Sequence, residues 1–103
     1  LPRAVKSALE QTIDDLEVIV VDDASTGPVD LPSHPRLRTI RLSSPRGGAG
    51  ARNAGTEAAR GRWIAYLDDD DWLLPHMAAA SLAALEEATL PAPVAAISGI
   101  EIV

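Results

Sequence analysis

The chain contains no cysteine and no phenylalanine, and aromatic residues make up only 3% of its 103 positions. The lack of cysteine excludes a disulfide-stapled scaffold and a metal site built on thiolates. No apolar run approaches the ~20 residues that cross a bilayer, so we predict no membrane span within this chain. Hydrophobic residues still account for 47% of the sequence, which can support the core of one small domain.

Positive charge is also missing from the last part of the chain, because no lysine or arginine follows Arg62. Residues 1–35 carry seven acidic and two basic residues, residues 36–62 carry seven arginines and one glutamate, and residues 63–103 carry seven acidic residues. Acidic flanks of this kind would repel a phosphate backbone, so nucleic acid is not a predicted partner. The partition suits a small anionic ligand bridged by a cation. The alternative is that the arginines only solvate a helix and two strands.

Segments with the pattern of buried strands alternate with segments of helical periodicity. We predict helices over 2–11, 49–60 and 75 to about 88, and strands over 16–21, 36–42, 62–67 and 93–103, with Gly61 closing the second helix. The nearly all-apolar strand at 62–67 is typical of a strand buried on both faces, and the strand at 16–21, rich in β-branched residues, is predicted to be buried. The alternation predicts an α/β fold with a mostly parallel sheet.

Carboxylates follow two of the predicted strands. Asp22 and Asp23 come after the strand at 16–21, and an unbroken run of four aspartates, residues 68–71, comes after the strand at 62–67. Two carboxylates about 5 Å apart repel by roughly 3 kcal/mol at an effective dielectric of about 20, so the run must be solvated, protonated or bound to a cation. Open α/β sheets bind ligands at the carboxyl ends of their strands. The structural alternatives are a turn capped by aspartate and a solvated acidic turn.

A glycine-rich segment, RGGAGARNAG at 46–55, lies between the two acidic groups. Its glycines allow a ligand to approach the backbone closely, and a glycine-rich turn that leads into a helix is a candidate phosphate site. The alternative is close packing of a helix of small residues on the sheet. The match to a dinucleotide-binding pattern is weak, because Asn53 stands in place of the third glycine and no strand immediately precedes the glycines.

Four segments, in this order, resemble the amino-terminal half of family 2 glycosyltransferases. They are LPRAVKSALEQT, DLEVIVVDDAS, GGAGARNAG and GRWIAYLDDDDWLLP, and they cover roughly residues 1–80. The resemblance implies a GT-A fold, an incomplete Rossmann-like α/β domain over residues 1–103, in which these segments build the site for a nucleotide-diphospho-sugar donor.

The resemblance also implies roles for individual residues. Asp23 would contact the nucleotide base, with Asp22 beside it and Arg52 also close to the base. Asp68 and Asp70 would form an aspartate-any-aspartate motif that holds Mn²⁺ or Mg²⁺ on the diphosphate, and Asp69 would lie by the ribose or the metal. The run of four aspartates leaves the register of this motif open by one residue.

In such an enzyme, the sugar passes with inversion to the hydroxyl of a sugar, glycan or lipid-linked acceptor, in the cytoplasm or at the cytoplasmic face of a membrane. The family has a further strand before the helix at 2–11, central in the sheet, and a general base beyond residue 103. We therefore expect no catalytic residue in this chain and no turnover by the chain alone. Two alternatives stay open: a non-catalytic nucleotide-binding module of GT-A type, and a phosphorelay receiver domain. In the second case, Asp22, Asp23 and Asp68 would correspond to the acidic residues of a receiver domain.

Overall fold

The computed structural model describes residues 2–27, 31–86 and 101–102. Its elements are α1 (Pro2–Leu9), β1 (Val18–Asp22), β2 (Leu37–Arg41), α2 (Gly47–Ala58), β3 (Tyr66–Leu67), α3 (Met77–Glu86) and β4 (Glu101–Ile102). β1 pairs in parallel with β2, and β3 pairs in parallel with β4. Among the described residues these pairs form two separate sheets. The predicted α/β class with parallel strands is confirmed.

β1 lies between two helices because its side chains alternate from one face to the other. Val18 is buried and packs in a cluster with Ala4 and Ala8 of α1. On the opposite face, a Cβ on Gly55 of α2 would lie 3.3 Å from Cγ2 of Val21, so the missing side chain lets the helix approach the strand. That second face is only half-buried, so the predicted burial of this strand is complete on one face only.

The core reaches both flanks of the acidic run. Leu67, the last residue of β3, and Leu73 are both buried and belong to the same cluster as Val18. The aspartates between them therefore form a short loop whose two ends are anchored in the core.

α2 begins and ends two residues earlier than predicted. It does not use Gly61 as its cap: Ala59 takes an extended conformation with φ −66° and ψ 139°, and its N–H bonds back to the carbonyls of Gly55 and Thr56. Arg38 adds an interaction at the last residue of the helix, donating from Nη2 to the Ala58 carbonyl over 2.7 Å. Because the N–H of Ala59 and a side chain from β2 bond carbonyls at this helix end, the helix ends without a left-handed glycine.

β3 is much shorter than the predicted strand at 62–67. Its ladder pairs Tyr66 with Glu101 and Leu67 with Ile102, whereas Trp63 is 37% exposed and Ile64 is 44% exposed. Apolar, β-prone residues become a strand only where a neighbour supplies ladder bonds, and in the described part of the chain that neighbour is two residues long.

The other bounds differ less from the predicted ones. α1 ends two residues early, and β1 starts two residues late and includes Asp22. β2 lies inside the predicted range. α3 begins at Met77 rather than at residue 75. Residues 87–88 of that predicted helix, and residues 93–100 and 103 of the last predicted strand, lie outside the described residues. No helix in the described part of the chain has the length and apolar character needed to cross a membrane.

Candidate functional site

The four aspartates form a tight turn. The N–H of Asp71 donates to the carbonyl of Asp68 over 3.1 Å, and Asp68 is half-buried while the other three are exposed. The turn brings one carboxylate oxygen each from Asp68, Asp70 and Asp71 within 4.8 Å of one another. Asp69 lies in the same turn but is not a member of this group of three.

The three carboxylates fit a hard divalent cation. Mg²⁺ and Mn²⁺ prefer oxygen ligands, and an octahedral ion with bonds near 2.1 Å places adjacent ligands roughly 3.0 Å apart and opposite ligands roughly 4.2 Å apart. Side-chain rotation can bring oxygens that lie within 4.8 Å of one another to these spacings. The structure thus brings the predicted ligands Asp68 and Asp70 together and adds Asp71, which sequence analysis did not assign. The one signal for Asp71 was its place in the run.

Asp22 ends β1 with a buried carboxylate that has partners inside the protein. Its Oδ1 accepts the N–H of Ser25 at 2.9 Å, and Nε of Arg41 lies 3.7 Å from Oδ2. The hydrogen bonds from Ser25 are the main cause that lowers the pKa of Asp22; the charge of Arg41 adds to them, and burial opposes them. Asp22 therefore caps a turn, which is the structural alternative to a ligand-binding role given above.

Asp23 caps α2 from a distance in sequence. Its Oδ1 accepts the N–H of Arg46 at 2.7 Å and its Oδ2 accepts the N–H of Gly47 at 2.9 Å. The carboxylate satisfies N–H groups that have no partner within the helix, and its charge complements the positive end of the helix dipole. These two N–H groups of the glycine-rich segment are therefore held by the protein's own carboxylate and are not open to a phosphate in this structure.

Arg52 folds back over the first turn of α2. Its Nη1 lies 3.6 Å from the position that a Cβ on Gly48 would occupy. Long side chains on a helix point toward its N-terminus, which accounts for this direction. Two residues predicted to lie at the nucleotide base, Asp23 and Arg52, are thus brought to the same end of the same helix.

Three arginines of the basic middle segment serve the fold. Arg36 donates to the carbonyls of Leu9 and Asp14, and Arg41 donates to the carbonyl of Ser25. Arg38 forms an ion pair with Glu17 at 2.7 Å. These contacts favour a role for the three positive charges in stabilising the fold over a role in binding an anionic ligand.

The comparisons with known proteins place the chain in a family. Glycosyl transferase family 2 matches residues 1–99, so the chain belongs to this family. Membership identifies the parallel α/β arrangement as part of a GT-A fold and decides against the phosphorelay receiver alternative.

The chain is similar to several bacterial proteins. It is 52% identical over 77 residues to the succinoglycan biosynthesis protein ExoO of Rhizobium meliloti (strain 1021), a match that covers 71% of this chain and 22% of that protein. It is 40% identical over 72 residues to the UDP-Glc:alpha-D-GlcNAc-diphosphoundecaprenol beta-1,3-glucosyltransferase WfaP of Escherichia coli, covering 66% and 29%. A chondroitin synthase of Escherichia coli is 42% identical over 79 residues, covering 71% and 11%. The chain thus spans less than a third of these relatives, and no solved structure matches it.

Proposed function

We propose that this chain is the donor-binding part of an enzyme that transfers a sugar, with inversion, from a nucleotide-diphospho-sugar to a hydroxyl of a sugar, glycan or lipid-linked acceptor. The observation that carries the proposal is the turn that gathers three carboxylates within 4.8 Å in a chain of Glycosyl transferase family 2. The names of its relatives, which refer to succinoglycan biosynthesis, glucosyl transfer and chondroitin synthesis, support a role in polysaccharide assembly.

In this proposal Asp68, Asp70 and Asp71 hold Mn²⁺ or Mg²⁺. A divalent ion bound there neutralises the charge that builds on the departing diphosphate. No lysine or arginine follows Arg62, so the acidic turn has no basic neighbour later in the sequence to fill this role. Asp69, on the same turn, faces the ribose or the metal.

The nucleotide base is bound at the start of α2. Asp23 uses its carboxylate on two backbone N–H groups, and an ionised carboxylate has about four acceptor positions, so it can still accept hydrogen bonds from a base. Arg52 lies at the same helix end and offers its planar guanidinium to the base. Asp22 fixes the turn that carries Asp23 through its bonds to Ser25.

The acceptor side and the general base lie on other parts of the enzyme, beyond residue 103. The matched regions cover only 22% and 29% of two relatives, which leaves ample room for them. The chain alone is then a donor-binding unit without turnover. We place the reaction in the cytoplasm or at the cytoplasmic face of a membrane.

The test is a calorimetric titration of the full-length protein with UDP, GDP and dTDP, each with Mn²⁺ and again with EDTA. The tightest case is repeated with Asp70→Ala and with Asp15→Ala, an exposed aspartate in the loop before β1. We expect binding that needs the metal, is lost in Asp70→Ala and is kept in Asp15→Ala. If no nucleotide binds, or if binding ignores both EDTA and Asp70, the proposed metal site is wrong.

A further inference from the structure

Three polar side chains, at a spacing of four residues, lie on one side of α1 and its continuation. Arg3 and Ser7 belong to α1, and Gln11 follows its end. Residues four apart lie on the same side of a helix, and the N–H of Glu10 still bonds to the carbonyl of Lys6, which continues the helical path toward Gln11. All three side chains contact the segment that directly follows the acidic turn.

Ser7 contacts this segment near the turn. Its Oγ accepts the N–H of Leu73 at 2.9 Å and donates to the carbonyl of Ala4 at 2.8 Å. Since the hydroxyl proton is committed to Ala4, a lone pair faces Leu73. Leu73 is buried, so its N–H would lose its partner in the protein interior if the hydroxyl were removed.

Gln11 contacts the next part of the segment with a side chain that is buried. Its Nε2 donates to the carbonyl of Leu74 at 2.8 Å, and its Oε1 accepts the N–H of Ala78 at 2.9 Å. The neighbouring N–H of Thr12 donates to the carbonyl of Pro75 at 3.0 Å. Both the donor and the acceptor of the amide are therefore used to fix the chain between the acidic turn and α3.

The contact begins immediately after the aspartates. The guanidinium of Arg3 lies 3.5 Å from the centre of the Trp72 ring, and Trp72 directly follows Asp71. On the other side of the turn, Leu67 is held in the core beside Ala4 and Ala8. α1 thus contributes to holding both ends of the acidic turn.

We propose that Ser7 and Gln11 are positioning residues for the metal site, an inference that rests on the proposed function. By fixing the backbone at Leu73 and Leu74, they hold Asp70 and Asp71 where their carboxylates converge with that of Asp68. Like charges repel, so the carboxylates would separate if the chain after the turn were released. Neither residue touches the metal; each acts through the backbone that carries its ligands.

The test measures Mn²⁺ binding to the full-length protein by the electron paramagnetic resonance of the free ion, with no nucleotide or acceptor present. Ser7→Ala removes the acceptor, and Gln11→Met removes the amide while keeping the length of the side chain. We expect each to weaken Mn²⁺ binding by about tenfold, as is typical for residues that orient metal ligands, and Ser7→Thr to stay within about twofold of wild type.

Val20→Ala is the control for a general loss of stability. Val20 is buried in β1 but is not in the cluster that holds Leu67 and Leu73, so this variant lowers the melting temperature without changing Mn²⁺ affinity. If Val20→Ala weakens Mn²⁺ binding as much as Gln11→Met does, the positioning role is overturned.

The remaining outcomes separate this inference from the proposed function. If Asp70→Ala abolishes Mn²⁺ binding while Ser7→Ala and Gln11→Met bind as wild type does, the positioning role is overturned and the metal site stands. If the wild-type protein itself binds no Mn²⁺ without nucleotide, the positioning role is overturned, whereas the proposed function is decided by the titration with nucleotide and Mn²⁺.

Discussion

At the residue scale, the start of α2 depends on two contacts that involve Arg46. Arg46 occupies the position before the first helical residue, and its own side chain makes no capping hydrogen bond. Its N–H is bonded by Asp23 instead. Its side chain packs against Gly50, where a Cβ would overlap the Cβ of Arg46. Gly50 is therefore required by the space available rather than by its backbone conformation.

Gly50→Ala should destabilise the protein by about 1–3 kcal/mol, because the new methyl group displaces Arg46 or bends the helix. In an uncrowded helix the same change would stabilise by about 1 kcal/mol, so the sign of the effect is informative. The measurement is urea unfolding at neutral pH. Gly48→Ala is the matched control, since its Cβ would lie 3.6 Å from Nη1 of Arg52, an ordinary contact. Finding Gly50→Ala at least as stable as Gly48→Ala would contradict the packing argument.

At the scale of elements, one glutamate joins β1, β2 and the end of α2. Glu17, directly before β1, accepts from Nη2 of Arg38 at 2.7 Å and from the N–H of Arg60 at 2.8 Å. The same Arg38 nitrogen donates to the carbonyl of Ala58, the last residue of α2. The helix end and the strand pair are thus connected through two side chains.

The hydrogen bond from Arg38 is the main cause that lowers the pKa of Glu17 below its usual value of 4.5, and the bond from Arg60 is the next. A carboxyl whose pKa is lower in the folded state stabilises the fold fully above the unfolded pKa, and this contribution is lost as the pH falls through the folded value. Glu17→Gln should therefore cost about 1 kcal/mol near neutral pH and progressively less below pH 4.5.

Urea midpoints over that pH range measure the effect. Glu57→Gln, an exposed glutamate on α2, is the control and should leave the midpoint nearly unchanged. A cost of Glu17→Gln that stays constant down to about pH 3 would show that the charge is not its cause.

Local periodicity was enough to predict that most of these elements exist, because α1 and β1 carry strong patterns of their own. Their limits depend on residues far away in sequence. α2 starts at Gly47 because Asp23 reaches it from the end of β1, and it ends without Gly61 because Arg38 reaches it from β2. The pattern at 62–67 gave no sign that the strand contains only Tyr66 and Leu67, since that depends on the neighbouring strand.

At the scale of the whole molecule, the predicted site residues fall into two groups. Asp23 and Arg52 meet at the start of α2, and Asp68 and Asp70 meet in the acidic turn. These residues were predicted from the family's motifs, and their binding roles stay a prediction. The motifs could not reveal how the acidic turn is held, because the hydrogen bond from Leu73 to Ser7 joins segments 66 residues apart.

The proposed metal site predicts that the stability of the whole molecule depends on divalent ions. A ligand at 100 times its dissociation constant stabilises the folded state by about 2.7 kcal/mol, which raises the melting temperature of a domain of this size by roughly 10 °C or more. The effect of Asp70→Ala on the melting temperature should have opposite signs in EDTA and in excess Mn²⁺. In EDTA it removes one of four crowded negative charges and should melt higher than wild type, whereas in excess Mn²⁺ it loses a ligand and should melt lower.

Melting curves followed by circular dichroism, in EDTA and in Mn²⁺, measure this crossover. Sodium chloride at matched ionic strength controls for screening of the net charge of −6, and Asp15→Ala controls for the loss of any one aspartate. The same order of stability for wild type and Asp70→Ala in both conditions would mean that the carboxylates do not share a cation. The crossover separates a solvated acidic turn from a metal site. Screening alone weakens the repulsion in both proteins and leaves their order of stability unchanged. In a metal site, Asp70 destabilises the fold in EDTA, through repulsion, and stabilises it in Mn²⁺, as a ligand.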